Sequence, residues 1–132
     1  MESSTNLINS KKIAMVVDDD KLAQFFIKQM FEDLGYEVLV AVNGHEAVRH
    51  FRGHINVITM DYNMPEMNGI EATKSIRNKE SKLEIKNPVL IIGLTAHNDK
   101  ETIDACFAAG MNKVITKPVA QKELLDILTL QN

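Results

Sequence analysis

Four apolar runs in this 132-residue chain end abruptly on residues that can do chemistry. Lys12 to Val17 runs into Asp18-Asp19-Asp20, Ile55 to Met60 into Asp61, Pro88 to Leu94 into Thr95, and Val114 to Thr116 into Lys117. Apolar runs bounded by turn residues read as buried strands. A carboxylate at the exit of such a run is a charge at the mouth of a core. Three clustered carboxylates repel, and some would stay protonated at neutral pH unless a cation intervenes. Oxygen ligands of that kind suit a hard ion, and a few carboxylates plus waters suit Mg2+. Mg2+ and the Lys117 ammonium would balance three negative charges and leave the site ready for an anion. A phosphoryl group fits, with metal, ammonium and the Thr95 hydroxyl each meeting one of its oxygens. A carboxylate facing it can act as nucleophile and form an aspartyl phosphate. Asp61 is the expected centre.

These residues meet only if the elements that carry them are arranged suitably. After Asp20, Leu22, Phe25, Phe26, Met30 and Leu34 recur at helical spacing, Gly35 supplies a stop, and Asp20 is placed to cap. Glu37 to Val42 reads as a second strand, and Ala47, Val48 and Phe51 as a short helix closed by Gly53. Ile70 to Lys79 reads as a third helix, followed by a polar connection from Asn78 to Asn87. Asp99 to Ala109 and Gln121 to Leu130 read as the last two helices. Strand and helix alternate five times, which predicts an α/β fold with a parallel sheet covered on both faces. The expected architecture is a flavodoxin-like, doubly wound (βα)5 sheet of order 2-1-3-4-5, with its site outside the carboxyl ends of the strands. That one topology gathers Asp18, Asp19, Asp61, Thr95 and Lys117 into one cleft.

The bulk properties narrow the function. The length fits one domain. A net charge of −3 argues against a dedicated nucleic-acid or membrane-surface binder. Lys79, Lys82 and Lys86 read as solvated surface. The single cysteine, Cys106, fits a reducing compartment and lies on an apolar helical stripe, where burial is expected. No apolar run approaches the roughly 18 residues of a membrane span. Residues 1–10 are polar, lack a signal-peptide core and read as a flexible leader to a domain over 11–132. The four histidines show no metal-ligand spacing.

Val16-Val17-Asp18-Asp19-Asp20, Met60-Asp61-Tyr62-Asn63-Met64-Pro65-Glu66-Met67-Asn68-Gly69, Leu94-Thr95-Ala96 and Thr116-Lys117-Pro118 resemble the signatures of the response-regulator receiver domain of two-component signalling. The resemblance covers roughly Lys11 to Leu130. It implies that Asp61 accepts a phosphoryl group from the phosphohistidine of a histidine kinase or histidine phosphotransfer protein. It implies that Asp18, Asp19, Asp61 and the Asn63 carbonyl hold Mg2+. Thr95 would bond the phosphoryl group, Lys117 would ion-pair with it, and the Lys117–Pro118 bond would be cis. Asn63 and His97 match positions that border the path of the attacking water. The domain would catalyse only its own phosphorylation and dephosphorylation. It would be cytoplasmic, as a single-domain regulator or as the cytosolic part of a membrane-bound hybrid kinase, without direct membrane contact and with no room for an output domain. The loop style resembles receivers of hybrid kinases and phosphorelays. One position departs: Val114 stands where receivers commonly carry a switch aromatic, and the resemblance makes the face of the fourth helix, fifth strand and fifth helix the expected partner surface. The alternative is a Mg2+-dependent phosphohydrolase working through an aspartyl phosphate. Against it, Asp18-Asp19-Asp20-Lys21-Leu22 lacks the Thr of its Asp-x-Asp-x-Thr motif, and no length remains for a substrate cap.

Overall fold

Every strand of the sheet lies parallel to its neighbours, in the order β2-β1-β3-β4-β5. The computed structural model describes residues 11–130; the expected leader lies outside the described residues. The strands are β1 (Ile13–Val17), β2 (Glu37–Ala41), β3 (Val57–Asp61), β4 (Leu90–Thr95) and β5 (Lys113–Thr116). The helices between them are α1 (Lys21–Asp33), α2 (Gly44–His50), α3 (Gly69–Lys82), α4 (Lys100–Ala109) and α5 (Gln121–Leu130). The expected fold and strand order are those observed.

Two cores form because successive strand side chains point to opposite faces. Met15, Ile58, Met60 and Ile91 meet Phe51 beside α2, Ala72 and Ile76 of α3, and Cys106 of α4. Ala14, Val16, Val57, Ile92 and Leu94 meet Ile27 and Phe31 of α1 and Leu124 and Leu128 of α5. Cys106 is fully buried, as expected. Each fully buried large side chain contributes roughly 1.5–3 kcal/mol. The exposed pairs Lys28–Glu32, Lys100–Asp104 and Lys122–Asp126 contribute only about 0.3–0.5 kcal/mol each. Burial therefore holds the sheet between its helices.

Caps set several helix starts. Asp20, Asn43 and Asp99 each accept a backbone N–H three residues on. Asn68 and Glu71 form a reciprocal capping box at α3.

Some expectations need correction. In α1 the buried residues are Ile27 and Phe31, while Leu22, Phe25 and Phe26 are exposed. The helix has apolar residues on two faces, and only the Ile27–Phe31 face meets the sheet. Val42 lies just past β2, and β3 starts at Val57 rather than Ile55. Asn56 accounts for the later start: its side chain accepts from the Ile13 N–H, and its own N–H donates to the Ile13 carbonyl. The third helix runs on to Lys82, so Glu80, expected in a polar connection, is a buried helical residue. Lys79 is not merely solvated; its ammonium donates to the carbonyls of Val48 and Arg49 at the end of α2.

Thr59 is buried, and its hydroxyl has no hydrogen-bond partner among the described residues. Valine has nearly the same shape and no polar atom to leave unmet. Thr59→Val should stabilise the fold by about 1 kcal/mol in urea unfolding; a loss of that size would contradict an unsatisfied hydroxyl.

Candidate functional site

The carboxyl ends of β1, β3, β4 and β5 surround one cleft of about 230 Å3, lined by Asp18, Asp19, Asp61, Asn63, Thr95 and Lys117 among others. Register explains the convergence. Val17 pairs with Met60, Asp61 with Leu94 and Thr95 with Thr116, so the last residues of four strands lie side by side. Backbone bonds tie the following loops to β4: the Tyr62 N–H donates to the Leu94 carbonyl and the Lys117 N–H to the Thr95 carbonyl, both at 2.8 Å.

The loop after Asp61 is shaped tightly. The Gly69 N–H donates to the Tyr62 carbonyl, closing the loop where α3 begins. A Cβ at Gly69 would collide with the Asp61 carbonyl oxygen, so only glycine lets α3 start this close to Asp61. Glu66 sits at φ 69°, and across it the Met67 N–H bonds the Pro65 carbonyl in a three-residue turn. The Lys117–Pro118 bond is cis.

Electrostatics dominate the cleft. Asp18 and Asp61 are almost wholly buried, whereas Asp19 is exposed. One carboxylate oxygen from each of the three lies within 4.8 Å of the others. Burial pushes the Asp18 carboxyl above its ordinary value; the Asp20 N–H opposes this, and the charge of Asp61 adds to it. Burial also pushes Asp61 up, against the pull of its hydrogen bond to Lys117. The Lys117 ammonium lies 2.8 Å from Asp61 Oδ1 and 3.7 Å from Asp18 Oδ2. Burial alone would lower its pKa, but the bond to Asp61 and the charges of all three acids outweigh it and raise it. The Thr95 hydroxyl accepts from the His97 N–H at 2.9 Å, which leaves its own proton free to be donated. His97 packs edge-on against Tyr62 at the rim.

A divalent cation fits this donor set. Asp18 Oδ2 is buried without a hydrogen-bond partner among the described residues, and two neighbouring carboxylates share its cleft. Such an oxygen is costly to bury unless a cation meets it.

The response regulator receiver domain family model matches residues 14–129. The chain belongs to that family. Among curated proteins, it is 34% identical over 130 residues to the peroxide stress-activated histidine kinase mak2 of Schizosaccharomyces pombe, covering 96% of this chain and 6% of that protein. It is 39% identical over 113 residues to the CAI-1 autoinducer sensor kinase/phosphatase CqsS of Vibrio cholerae, covering 85% and 16%. The chain thus spans a small part of these relatives. Among solved receiver structures, the receiver domain of sensor histidine kinase PA1611 from Pseudomonas aeruginosa is 32% identical with a TM-score of 0.77, covering 91% of this chain and 96% of that one. That receiver has a magnesium ion coordinated in its active-site cleft. The receiver domain of Saccharomyces cerevisiae Ssk1, in complex with the histidine phosphotransfer protein Ypd1, is 30% identical with a TM-score of 0.84, covering 90% and 87%. A receiver domain is a signalling module rather than a classical enzyme, and nothing in the cleft favours the phosphohydrolase alternative.

All five chemistry-bearing residues expected from strand ends meet in this receiver cleft, with Asn63 at its edge. Sequence reasoning missed Arg77 and Glu80, whose three-residue spacing on a helix was the available signal.

The raised Asp18 carboxyl gives a signed pH dependence. Between pH 3.8 and its raised value, the folded receiver binds more protons at Asp18 than the unfolded chain does, so stability falls as pH rises through that interval. Asp18→Asn removes this contribution. In metal-free buffer near pH 7 the variant should be more stable by about 1–3 kcal/mol. Added Mg2+ should raise the wild-type midpoint well above that of the variant. Equal Mg2+ responses in thermal unfolding would contradict the metal assignment.

Proposed function

We propose that Asp61 is the phosphoacceptor of this receiver, taking a phosphoryl group from phosphohistidine with Mg2+ bound. The observation that carries the reading is the Lys117 ammonium at 2.8 Å from Asp61 Oδ1, inside a cluster of three carboxylates. Without a phosphoryl group, Asp61 supplies the anion that Lys117 needs. On transfer, a carboxylate oxygen of Asp61 attacks phosphorus, the P–N bond to the donor imidazole breaks, and that imidazole leaves with the bonding pair and takes a proton from solvent. The product is an aspartyl phosphate. Lys117 then pairs with a phosphoryl oxygen, and the Thr95 hydroxyl donates to another. Asp18, Asp19, Asp61 and the Asn63 carbonyl would hold Mg2+, which offsets charge on the phosphoryl oxygens. In hydrolysis a water attacks phosphorus, the P–O bond to Asp61 breaks, inorganic phosphate leaves and the carboxylate is regenerated, with Asn63 and His97 at the rim on the water's approach. Both steps are the receiver's own chemistry, in a cytosolic setting that suits its free Cys106.

The donor needs a surface beside this cleft. Leu22, Phe26 and Met30 of α1, with Pro118 and Val119, line an apolar groove of about 650 Å3 that shares Asp20 and Lys117 with the cleft. Exposed Phe25 packs edge-on against Phe26. We assign this groove to the helix of a histidine phosphotransfer partner or kinase that carries the phosphohistidine. The Ssk1 receiver's complex with Ypd1 supports a partner of that class. Val114, which packs against the α2–α3–α4 core, provides no ring to swing, so Thr95 and its loop carry the phosphorylation signal.

Two phosphodonors test the reading in one assay. Asp61→Asn should abolish acid-stable, base-labile labelling from both a small acyl phosphate and a phosphorylated phosphotransfer protein. Phe26→Glu should slow transfer only from the protein donor, by about 10-fold or more. Wild-type labelling in Asp61→Asn sinks the phosphoacceptor assignment. Equal slowing from both donors by Phe26→Glu sinks the docking assignment.

A further inference from the structure

At the far end of the sheet from the cleft, one guanidinium joins α3 to the segments that lead into β4 and β5. Arg77 Nε and one terminal nitrogen donate to the Gly110 carbonyl, at 3.0 and 2.8 Å. The same terminal nitrogen donates to Asn112 Oδ1 at 2.9 Å. The other donates to the Val89 carbonyl at 2.9 Å and to Glu80 at 2.8 Å. Buried Glu80 accepts in turn from the Val89 N–H at 2.6 Å. Asn112 then grips β4 twice: its Oδ1 accepts from the Ile91 N–H, and its own N–H donates to the Ile91 carbonyl, both at 2.8 Å.

The segments pinned here are the entrances to β4 and β5, the two strands whose exits carry Thr95 and Lys117. β5 has four residues and, among the described residues, is an edge strand paired only with β4. So short a ladder fixes register weakly by itself. The Asn112 side chain extends it by supplying an acceptor to Ile91, and Arg77 holds that side chain in place. Gly110, at φ 117°, is where α4 turns into this strand, and a Cβ there would come within 2.9 Å of the Arg77 side chain. Glycine at this position therefore both takes the left-handed conformation and makes room for the arginine. α3 closes the frame, because the helix that carries Arg77 starts at Gly69 against the Asp61 carbonyl.

We infer that Arg77, acting through Asn112 with Glu80 as its counter-charge, is a positioning residue for phosphoryl transfer: it fixes β5 against β4 so that Lys117 is delivered to Asp61 beside Thr95. This rests on the phosphoacceptor reading of Asp61. Asn112 and Lys117 are five residues apart, roughly 16 Å along a strand, so Arg77 touches no reacting atom. The residues that would hold the metal lie at the exits of β1 and β3, and none of the hydrogen bonds of this network reaches either strand. Loss of Arg77 should therefore alter the Lys117 half of the site and leave the metal half intact.

The test uses Arg77→Met, which keeps an aliphatic stem, and Asn112→Ala, which keeps the Arg77–Glu80 pair and stays informative if the first variant folds poorly. Both are assayed well below their unfolding midpoints, with a saturating small acyl phosphate and saturating Mg2+. Arg77→Met should lower the Asp61 labelling rate by about 10-fold, as a slight misplacement of a catalytic group does. Asn112→Ala should lower it less. Mg2+ affinity should match wild type, and the backbone amide resonances of Lys117 and Thr95 should move in the unphosphorylated protein. A purely structural role would lower the midpoint but leave rate and resonances at wild-type values, and that result in both variants overturns the inference. An unlabelled wild-type protein would instead overturn the phosphoacceptor reading, and the Lys117 amide then decides the positioning role alone.

Discussion

Two buried carboxylates depend on one lysine. Asp18 and Asp61 lose most of their hydration on folding, and the effective cost of burying an unpaired ion is several kcal/mol. Lys117 offsets part of it through its bond to Asp61 and a longer approach to Asp18. Asp18 Oδ2, 3.7 Å from that ammonium, still has no hydrogen-bond donor among the described residues. The cleft is thus held short of positive charge by the same burial that raises both carboxyls. The proposed divalent cation and phosphoryl group would fill this deficit, and the three clustered carboxylates could hold the cation.

The rest of the fold serves that cleft. Parallel register puts four strand exits together, and loop bonds from Tyr62 and Lys117 fasten the neighbouring loops to β4. Gly69 lets α3 begin against Asp61, and Arg77 carries the same helix to the entrances of β4 and β5. The helix therefore spans the sheet from its chemical end to its structural end. On the other face, α1 buries Ile27 and Phe31 and leaves Leu22 and Phe26 exposed beside the acids, in the groove proposed for the phosphodonor.

Much of this was legible in the residues. Strand runs ending on Asp18, Asp61, Thr95 and Lys117 announced both the alternation and the cleft, because the period of a buried strand is strong and its exits are sharp. What escaped were features set by tertiary contact. The apolar residues of α1 fit two faces, and spacing could not say which one meets the sheet. Glu80 looked like loop because its charge outweighed its helical spacing; its partners, Arg77 and the Val89 N–H, exist only once α3 packs against β4. Lys79 looked solvated because the α2 carbonyls it binds are remote in sequence.

The central claim is that Asp61 itself carries the phosphoryl group, and chemical trapping tests it most directly. The receiver is phosphorylated by a small acyl phosphate in Mg2+, reduced with borohydride and mapped by peptide mass spectrometry. The account predicts conversion of Asp61, and no other acid, to homoserine, with the yield lost when Mg2+ is chelated. Homoserine at Asp18 or Asp19 with Asp61 intact would contradict it.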